Sequence, residues 1–109
     1  MKRMAMILGI RPEGIEEYRK LHAAVWPEVL AKIADCSIRN YSIFLRQPEN
    51  LLFAYFEYHG QDFAADSARM AADPATQKWW SINMPLQEPL DSCPEGEWWA
   101  MAEEVFHVD

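Results

Sequence analysis

Tyr18 and His22 stand four residues apart, a spacing that places two side chains on the same face of a helix, one turn from each other. A histidine with an ordinary pKa of about 6.5 gains or loses its proton close to neutral pH, and a phenol hydroxyl both donates and accepts hydrogen bonds. The pair therefore has the chemistry of general acid–base catalysis. The residues alone leave open an alternative, in which His22 is a hydrogen-bonded core histidine beside a tyrosine whose hydroxyl reaches water.

Aromatic side chains offer a second candidate for chemistry. Trp79 and Trp80 are adjacent, so on a helix they point about 100° apart and cannot both bury fully in one core. We expect one to be core and the other to line the rim of a cavity, where an indole face suits the C–H face of a sugar ring. Tyr41 should project toward the same site from a strand. Ordinary core and interface positions are the alternative for all three residues.

The elements that must position these residues begin with a strand at residues 4–10 and a helix from about residue 13 to 35. In the helix, apolar residues recur every three or four positions, as is typical of an amphipathic helix. Its inward stripe contains Ile15, Tyr18, His22, Val25, Val29 and Ile33. Pro27 lacks an amide hydrogen, so it should kink the helix or open its second half.

The rest of the chain alternates strands and helices. Asp73 and Pro74 have the residue types of a helix N-cap and first turn, and residues 47–50 have turn chemistry that predicts a β-hairpin. The predicted strands are 38–46, 51–58 and 98–107, the predicted helices are 62–72 and 74–84, and the predicted loop is 85–96.

This β-α-β-β-α-β order predicts a single domain spanning residues 1–109, an α+β ferredoxin-like sandwich whose helices cover one face of an antiparallel sheet. Both faces of the strand at residues 51–58 are apolar, one with Leu52, Ala54 and Phe56 and the other with Leu51, Phe53 and Tyr55. Because the helices cover only one face, the other would be an exposed apolar patch. We therefore expect a homodimer that packs sheet against sheet.

Composition excludes several partners. The formal net charge of −7, from 17 acidic and 10 basic residues, repels polyanions and excludes nucleic acid. No apolar stretch approaches the ~18 residues of a membrane span. The apolar run near Met1 meets Arg11 without a small-residue cleavage site, so we expect a cytoplasmic protein in which Cys36 and Cys93 are reduced thiols.

Motifs for metals, phosphates and acyl transfer are absent from the sequence. The four glycines are scattered and form no phosphate loop. His22, His59 and His107 lack metal-ligand spacing, and no Gly-x-Ser-x-Gly motif is present. The sequence therefore predicts neither a metal nor a cofactor.

The sequence resembles the L-rhamnose mutarotase family in short motifs that keep the family's order and spacing over nearly the whole chain. These motifs are Tyr18-x-x-x-His22, Val25-Trp26-Pro27-Glu28, Asn40-Tyr41-Ser42-Ile43, Asn50-Leu51-Leu52-Phe53-Ala54, Trp79-Trp80 with Met84-Pro85, and Glu104-Val105-Phe106. The resemblance implies a dimeric ferredoxin-like α+β barrel. It also implies a cofactor-independent isomerase that interconverts the anomers of a monosaccharide, L-rhamnose or a similar free aldose.

At the positions that match these motifs, the resemblance implies that His22 is the proton donor. It implies sugar-binding positions at Tyr18, Tyr41, Trp79 and Trp80. We expect His22 to be the principal acid and base in opening and closing the sugar ring, and Tyr18 either to orient the sugar or to relay a second proton.

The chain departs from the family pattern at Ala23, where members often have a polar residue, at Arg39, where some have histidine, and in a longer 85–96 loop. These departures leave open which sugar is used. Two further alternatives stay open: a dimeric ferredoxin-like monooxygenase or haem-degrading protein, and a non-catalytic sugar-binding domain.

Overall fold

One antiparallel sheet organises the computed structural model, which describes residues 1–109. The strands are β1 (Lys2–Ile10), β2 (Ile38–Arg46), β3 (Leu51–Tyr58), β4 (Gln87–Glu88) and β5 (Ala100–Ala102). The helices are α1 (Ile15–Ala23), α2 (Pro27–Asp35), α3 (Phe63–Ala72) and α4 (Pro74–Asn83), with short 3₁₀ turns at Pro12–Gly14 and Met84–Leu86. The strand order is β2-β3-β1-β4, and β5 also pairs with β1. The predicted ferredoxin-like α+β architecture is confirmed.

The helix predicted for residues 13–35 is two helices in the structure. Trp26 is extended, with φ −60° and ψ 136°, and Pro27 is the first residue of α2. A proline disfavours helical backbone in the residue before it, so α1 ends at Ala23 and the chain restarts after the break. Pro27 therefore does not kink a continuous helix; it opens the second half, which is a separate helix.

The helix N-termini of the second half follow from local sequence. The Asp62 carboxylate accepts the Ala65 amide at 3.1 Å, and the Asp73 carboxylate accepts the Thr76 amide at 3.0 Å. Each bond satisfies a backbone donor that the first helical turn leaves free. The predictions of α3 and α4, and of the β2–β3 hairpin, are confirmed.

Two predictions near the C-terminus are wrong. The predicted loop at 85–96 contains β4, which forms because Gly9 and Ile10 of β1 offer it backbone partners. The predicted strand at 98–107 shrinks to β5, whose last residue, Ala102, pairs with Ala5. The residues after Ala102 have no partner strand. A side-chain ion pair between Arg3 and Glu104 connects them to the start of β1.

The core lies between the sheet and the helices. Its helix-facing residues form two buried clusters: Met6, Ile38, Ala54, Phe56 and Tyr58 in one, and Leu8, Ile10, Ile15, Tyr18 and Leu52 in the other. Every second strand residue therefore faces the helices, as the alternation in β3 predicts.

The opposite face of the sheet is apolar and uncovered. Phe44 pairs with Phe53 across β2 and β3, and these rings are 62% and 38% exposed. They border a shallow depression of about 220 Å³ that Ala5, Ile7, Tyr55 and Ala102 also line. We call this surface the outer sheet face. Cys36 and Cys93 are both free, and none of the helices is long and apolar enough to cross a membrane.

Candidate active site

Tyr18 and His22 lie one above the other on α1. Their rings stack with centroids 4.0 Å apart and planes 26° apart. His22 Nδ1 lies 2.9 Å from the backbone carbonyl oxygen of Tyr18. Since a carbonyl oxygen only accepts, Nδ1 carries a proton and donates it, which leaves Nε2 of the neutral ring as a free acceptor.

A cavity of about 310 Å³ opens beside this pair, between α1 and the helix-facing side of the sheet. The residues that line it are Ile10, Ile15, Tyr18, Arg19, His22, Ala23, Ile43, Leu45 and Leu52. The wall is mostly apolar with a few polar groups on one side, which is the usual form of a small-molecule site. His22 therefore borders a void and is not sealed among aliphatic side chains.

Burial sets the protonation of both groups. It lowers the pKa of His22 below the usual 6.5, and the hydrogen bond to the Tyr18 carbonyl opposes this only in part. Burial also raises the pKa of Tyr18 well above 10.0, Tyr41 adds a smaller rise, and the Gln87 side chain opposes it. Burial disfavours the charged form in each case. At neutral pH the site therefore holds a neutral imidazole and a protonated phenol.

Tyr41 lies on β2, at a local break in the strand pairing. An irregularity in the β2–β3 pairing falls between Arg39 and Ser42, and Asn40 adopts a positive φ of 49° there. The Tyr41 ring packs on Phe56, one of the helix-facing core residues, at 5.4 Å between centroids. Burial of its hydroxyl end raises the pKa of Tyr41 to about 12, although 39% of the whole residue is exposed.

The two adjacent tryptophans have different surroundings. Trp79 is 6% exposed, and it meets the ring of His22 edge-on at 5.2 Å and that of Trp26 at 5.1 Å. Trp80 is 39% exposed. The expectation that one of the pair would be core is confirmed for Trp79. The structure thus brings Tyr18, His22 and Trp79 together. Tyr41 packs on Phe56 and does not line the cavity, and Trp80 lies on the surface of the same helix as Trp79.

Sequence reasoning missed one polar residue of the site, Arg19, and one buried polar residue of β4, Gln87. Arg19 lines the cavity and donates to the Gln47 side chain at 3.2 Å, which ties α1 to the hairpin turn; its position next to Tyr18 was the available signal. Gln87 is 7% exposed and lies in a segment that was predicted as a loop, and nothing in the local sequence marks it. No three His, Cys, Asp or Glu side chains in the chain converge as a metal site requires.

Comparisons with known proteins agree with this architecture. The family model for L-rhamnose mutarotase matches residues 3–108. A protein of Oceanobacillus iheyensis named L-rhamnose mutarotase is 34% identical over 110 residues, covering all of both chains. One of Phocaeicola vulgatus with the same name is 36% identical over 119 residues, again covering all of both.

The crystal structure of an L-rhamnose mutarotase from Formosa agariphila covers all of this chain with a TM-score of 0.78 at 23% identity, a likeness that establishes the fold. The family match spans nearly every residue, including the α1 helix that bears Tyr18 and His22. By its sequence and its fold, the chain belongs to the L-rhamnose mutarotase family.

Proposed function

We propose that this chain interconverts the α and β anomers of free L-rhamnose or a closely similar aldose, with His22 as the principal acid and base. The observation that carries the proposal is the stacked Tyr18–His22 pair on the wall of a cavity of about 310 Å³. One group of the pair accepts a proton and the other holds one at neutral pH, as a ring-opening catalyst requires.

The proposed reaction opens and recloses a cyclic hemiacetal. Nε2 of His22 takes the proton of the anomeric hydroxyl, the bond between the anomeric carbon and the ring oxygen breaks, and the ring oxygen receives a proton from the Tyr18 hydroxyl. After the aldehyde turns about its bond to the next carbon, the ring oxygen attacks the other face. The two protons then return, so that the protein is regenerated.

This scheme uses proton transfers alone and needs neither a metal nor a redox cofactor. We assign Tyr18, Tyr41, Trp79 and Trp80 as sugar-binding residues. Part of the cavity wall is apolar and includes Ile43 and Leu45 of β2. This wall suits the methyl group of a 6-deoxy sugar, because transfer of an apolar group from water to an apolar surface is favourable.

The proposal extends to assembly. The outer sheet face exposes Phe44 and Phe53, and contiguous exposed apolar surface marks interaction sites. We propose that a second copy of the chain covers it, giving a homodimer of single-domain chains. We also propose a cytoplasmic location, which suits the two free thiols of Cys36 and Cys93.

Exchange-spectroscopy NMR on equilibrated L-rhamnose, with and without the purified protein, tests the proposed function. The expected result is an anomer exchange rate that rises in proportion to protein concentration. Sugar binding with an unchanged exchange rate would instead indicate a non-catalytic sugar-binding domain. If the protein neither binds L-rhamnose nor speeds its anomer exchange, the proposal is overturned. Haem titration would then test the alternative of a haem-degrading protein.

A further inference from the structure

The polar side chains of the cavity all lie on one wall. Tyr18, Arg19 and His22, which are close together on α1, bring a hydroxyl, a guanidinium and an imidazole to the lining. The facing wall consists of apolar strand residues, namely Ile10, Ile43, Leu45 and Leu52. A ligand that carries several hydroxyl groups therefore meets polar side chains of the lining along α1 alone.

Arg19 is held at the mouth of the cavity by two contacts outside it. Its side chain is 53% exposed and pairs with Glu16, one turn earlier on α1. The other terminal nitrogen donates to the side chain of Gln47, in the turn between β2 and β3, at 3.2 Å. Two acceptors on different sides fix the plane of a rigid guanidinium. The group therefore extends from α1 to the hairpin turn and lines the cavity from a fixed position.

Hydrogen-bond donors of Arg19 remain available for a ligand. A guanidinium has five N–H donors in one plane and no acceptor. The contacts with Glu16 and Gln47 use two of them, so three have no acceptor in the protein. Because the Glu16 carboxylate already balances the positive charge, the free donors suit the hydroxyl oxygens of a neutral molecule better than an anion.

We infer that Arg19 binds a ring hydroxyl of the sugar and thereby determines which free aldoses the site accepts. With the anomeric carbon at Tyr18 and His22, and the methyl group on the apolar wall, the hydroxyls on the second, third and fourth carbons still need partners. A hydroxyl that leaves water without gaining a hydrogen bond weakens binding. Arg19 is the further polar side chain on the cavity wall, and it donates to one of these oxygens. This inference rests on the proposed function and deepens it.

Arg19→Met tests the inference, because it removes the donors and keeps a long side chain. We expect the affinity for L-rhamnose, measured by NMR titration, to fall roughly tenfold, the effect of one lost hydrogen bond from a charged group. In anomer exchange the loss should appear mainly in the sugar concentration that gives half the maximal rate, since a ring hydroxyl away from the reacting atoms is bound alike before and during ring opening. Unchanged affinity would overturn the inference.

Arg46→Met is the matched control. Arg46 is exposed and pairs with Glu49 three residues away, as Arg19 pairs with Glu16, but Arg46 does not line the cavity. This variant should bind L-rhamnose as the parent protein does. An equal loss of affinity in both variants would show a general effect of surface charge and would contradict the role of Arg19.

Analogues of L-rhamnose that each lack one of the three ring hydroxyls identify the partner of Arg19. For the analogue without the partner hydroxyl, Arg19→Met removes nothing further, so the parent protein and the variant should bind it within about twofold of each other. An equal loss of affinity for all three analogues would overturn the inference. So would tighter binding of the uronate with the same ring than of L-rhamnose, because Arg19 would then be an anion-binding residue.

Gln47→Ala tests the placement of the guanidinium without changing the cavity wall, which Gln47 does not line. Loss of one anchor should weaken L-rhamnose binding by a smaller factor than Arg19→Met. In an Arg19→Met background the same change should have little further effect. An undiminished effect in that background would contradict the placement. Thermal unfolding verifies that each variant is folded.

Measuring the parent protein first keeps the two proposals distinct. A parent protein that binds L-rhamnose without exchanging its anomers contradicts the proposed function, and the affinities still test Arg19. A parent protein with full exchange, combined with an Arg19→Met variant that binds L-rhamnose equally well, contradicts the Arg19 inference alone. A parent protein that does not bind L-rhamnose contradicts both.

Discussion

The backbone carbonyl of Tyr18 accepts the Nδ1 proton of His22, its neighbour one helical turn later, at 2.9 Å. The same turn stacks the two rings at 4.0 Å. Residue 18 thus fixes the tautomer of the imidazole through its backbone and adds a hydroxyl through its side chain. One turn of α1 supplies both proton-handling groups of the proposed reaction.

Replacing His22 should remove most of the catalysis. We expect His22→Ala and His22→Gln to lower the anomer exchange rate by about 10²–10⁴-fold, the usual contribution of a general acid–base group. Exchange-spectroscopy NMR measures the rate, and circular dichroism verifies the fold. His59→Gln, at an exposed histidine, is the matched control. An exchange rate near that of the parent protein in both His22 variants would assign His22 a structural role.

The exchange rate should depend on pH through His22. Burial lowers the pKa of His22 below 6.5, so the neutral base persists at neutral pH and protonates only in mild acid. We expect a flat rate from about pH 7 to 8 and a fall below an apparent pKa under 6.5. A midpoint above 6.5 would contradict the assignment.

The pH dependence of the free energy of unfolding should also reflect the titration of His22. The unfolded chain protonates His22 near its ordinary pKa, whereas the folded chain resists protonation. The contribution of His22 to the free energy of unfolding is therefore complete above about pH 6.5 and is lost as pH falls through the lower folded pKa. Chemical denaturation at several pH values measures this effect. As the pH is lowered below 6.5, the free energy of unfolding should fall less in His22→Gln than in the parent protein.

The two tryptophans should respond differently to truncation. Trp79 is buried, so Trp79→Ala should lower the free energy of unfolding by about 3–5 kcal/mol. Trp80→Ala should lower it less, because Trp80 is 39% exposed. At least one variant should bind L-rhamnose more weakly, as measured by NMR titration. Unchanged affinity in both would remove the pair from the sugar site.

A charge on the outer sheet face should prevent dimerisation. Phe53→Glu places a carboxylate in the proposed interface, where its burial without a partner is costly. We expect sedimentation to report a single chain for this variant and two chains for the parent. Leu30→Glu, at an exposed position on α2, is the control and should stay dimeric. A dimeric Phe53→Glu variant would place the interface elsewhere.

Local periodicity was sufficient to predict most of the fold and the relative positions of the residues at the centre of the candidate site. The four-residue step from Tyr18 to His22 is one helical turn, and the 100° step from Trp79 to Trp80 separates core from surface. Such relationships depend only on the geometry of one helix, so they can be predicted from the spacing of residues in the sequence.

The missed features depend on contacts between distant segments. Gln87 is buried because β4 pairs with the end of β1, and its amide oxygen accepts the indole N–H of Trp98, eleven residues later. Neither contact leaves a periodic pattern. Residues 98–107 were predicted to form one long strand, but the local sequence does not reveal whether a partner strand is present along its whole length.

Gly9 shows how the packing of a sheet can depend on a residue without any side chain. A methyl group there would collide with the Glu88 carbonyl oxygen and push β4, together with Gln87, off the sheet. In a saturation-mutagenesis survey, Gly9 should therefore be among the least replaceable positions, although its φ lies in the ordinary extended range of a strand. The intolerance would come from a neighbouring backbone and not from the reaction itself.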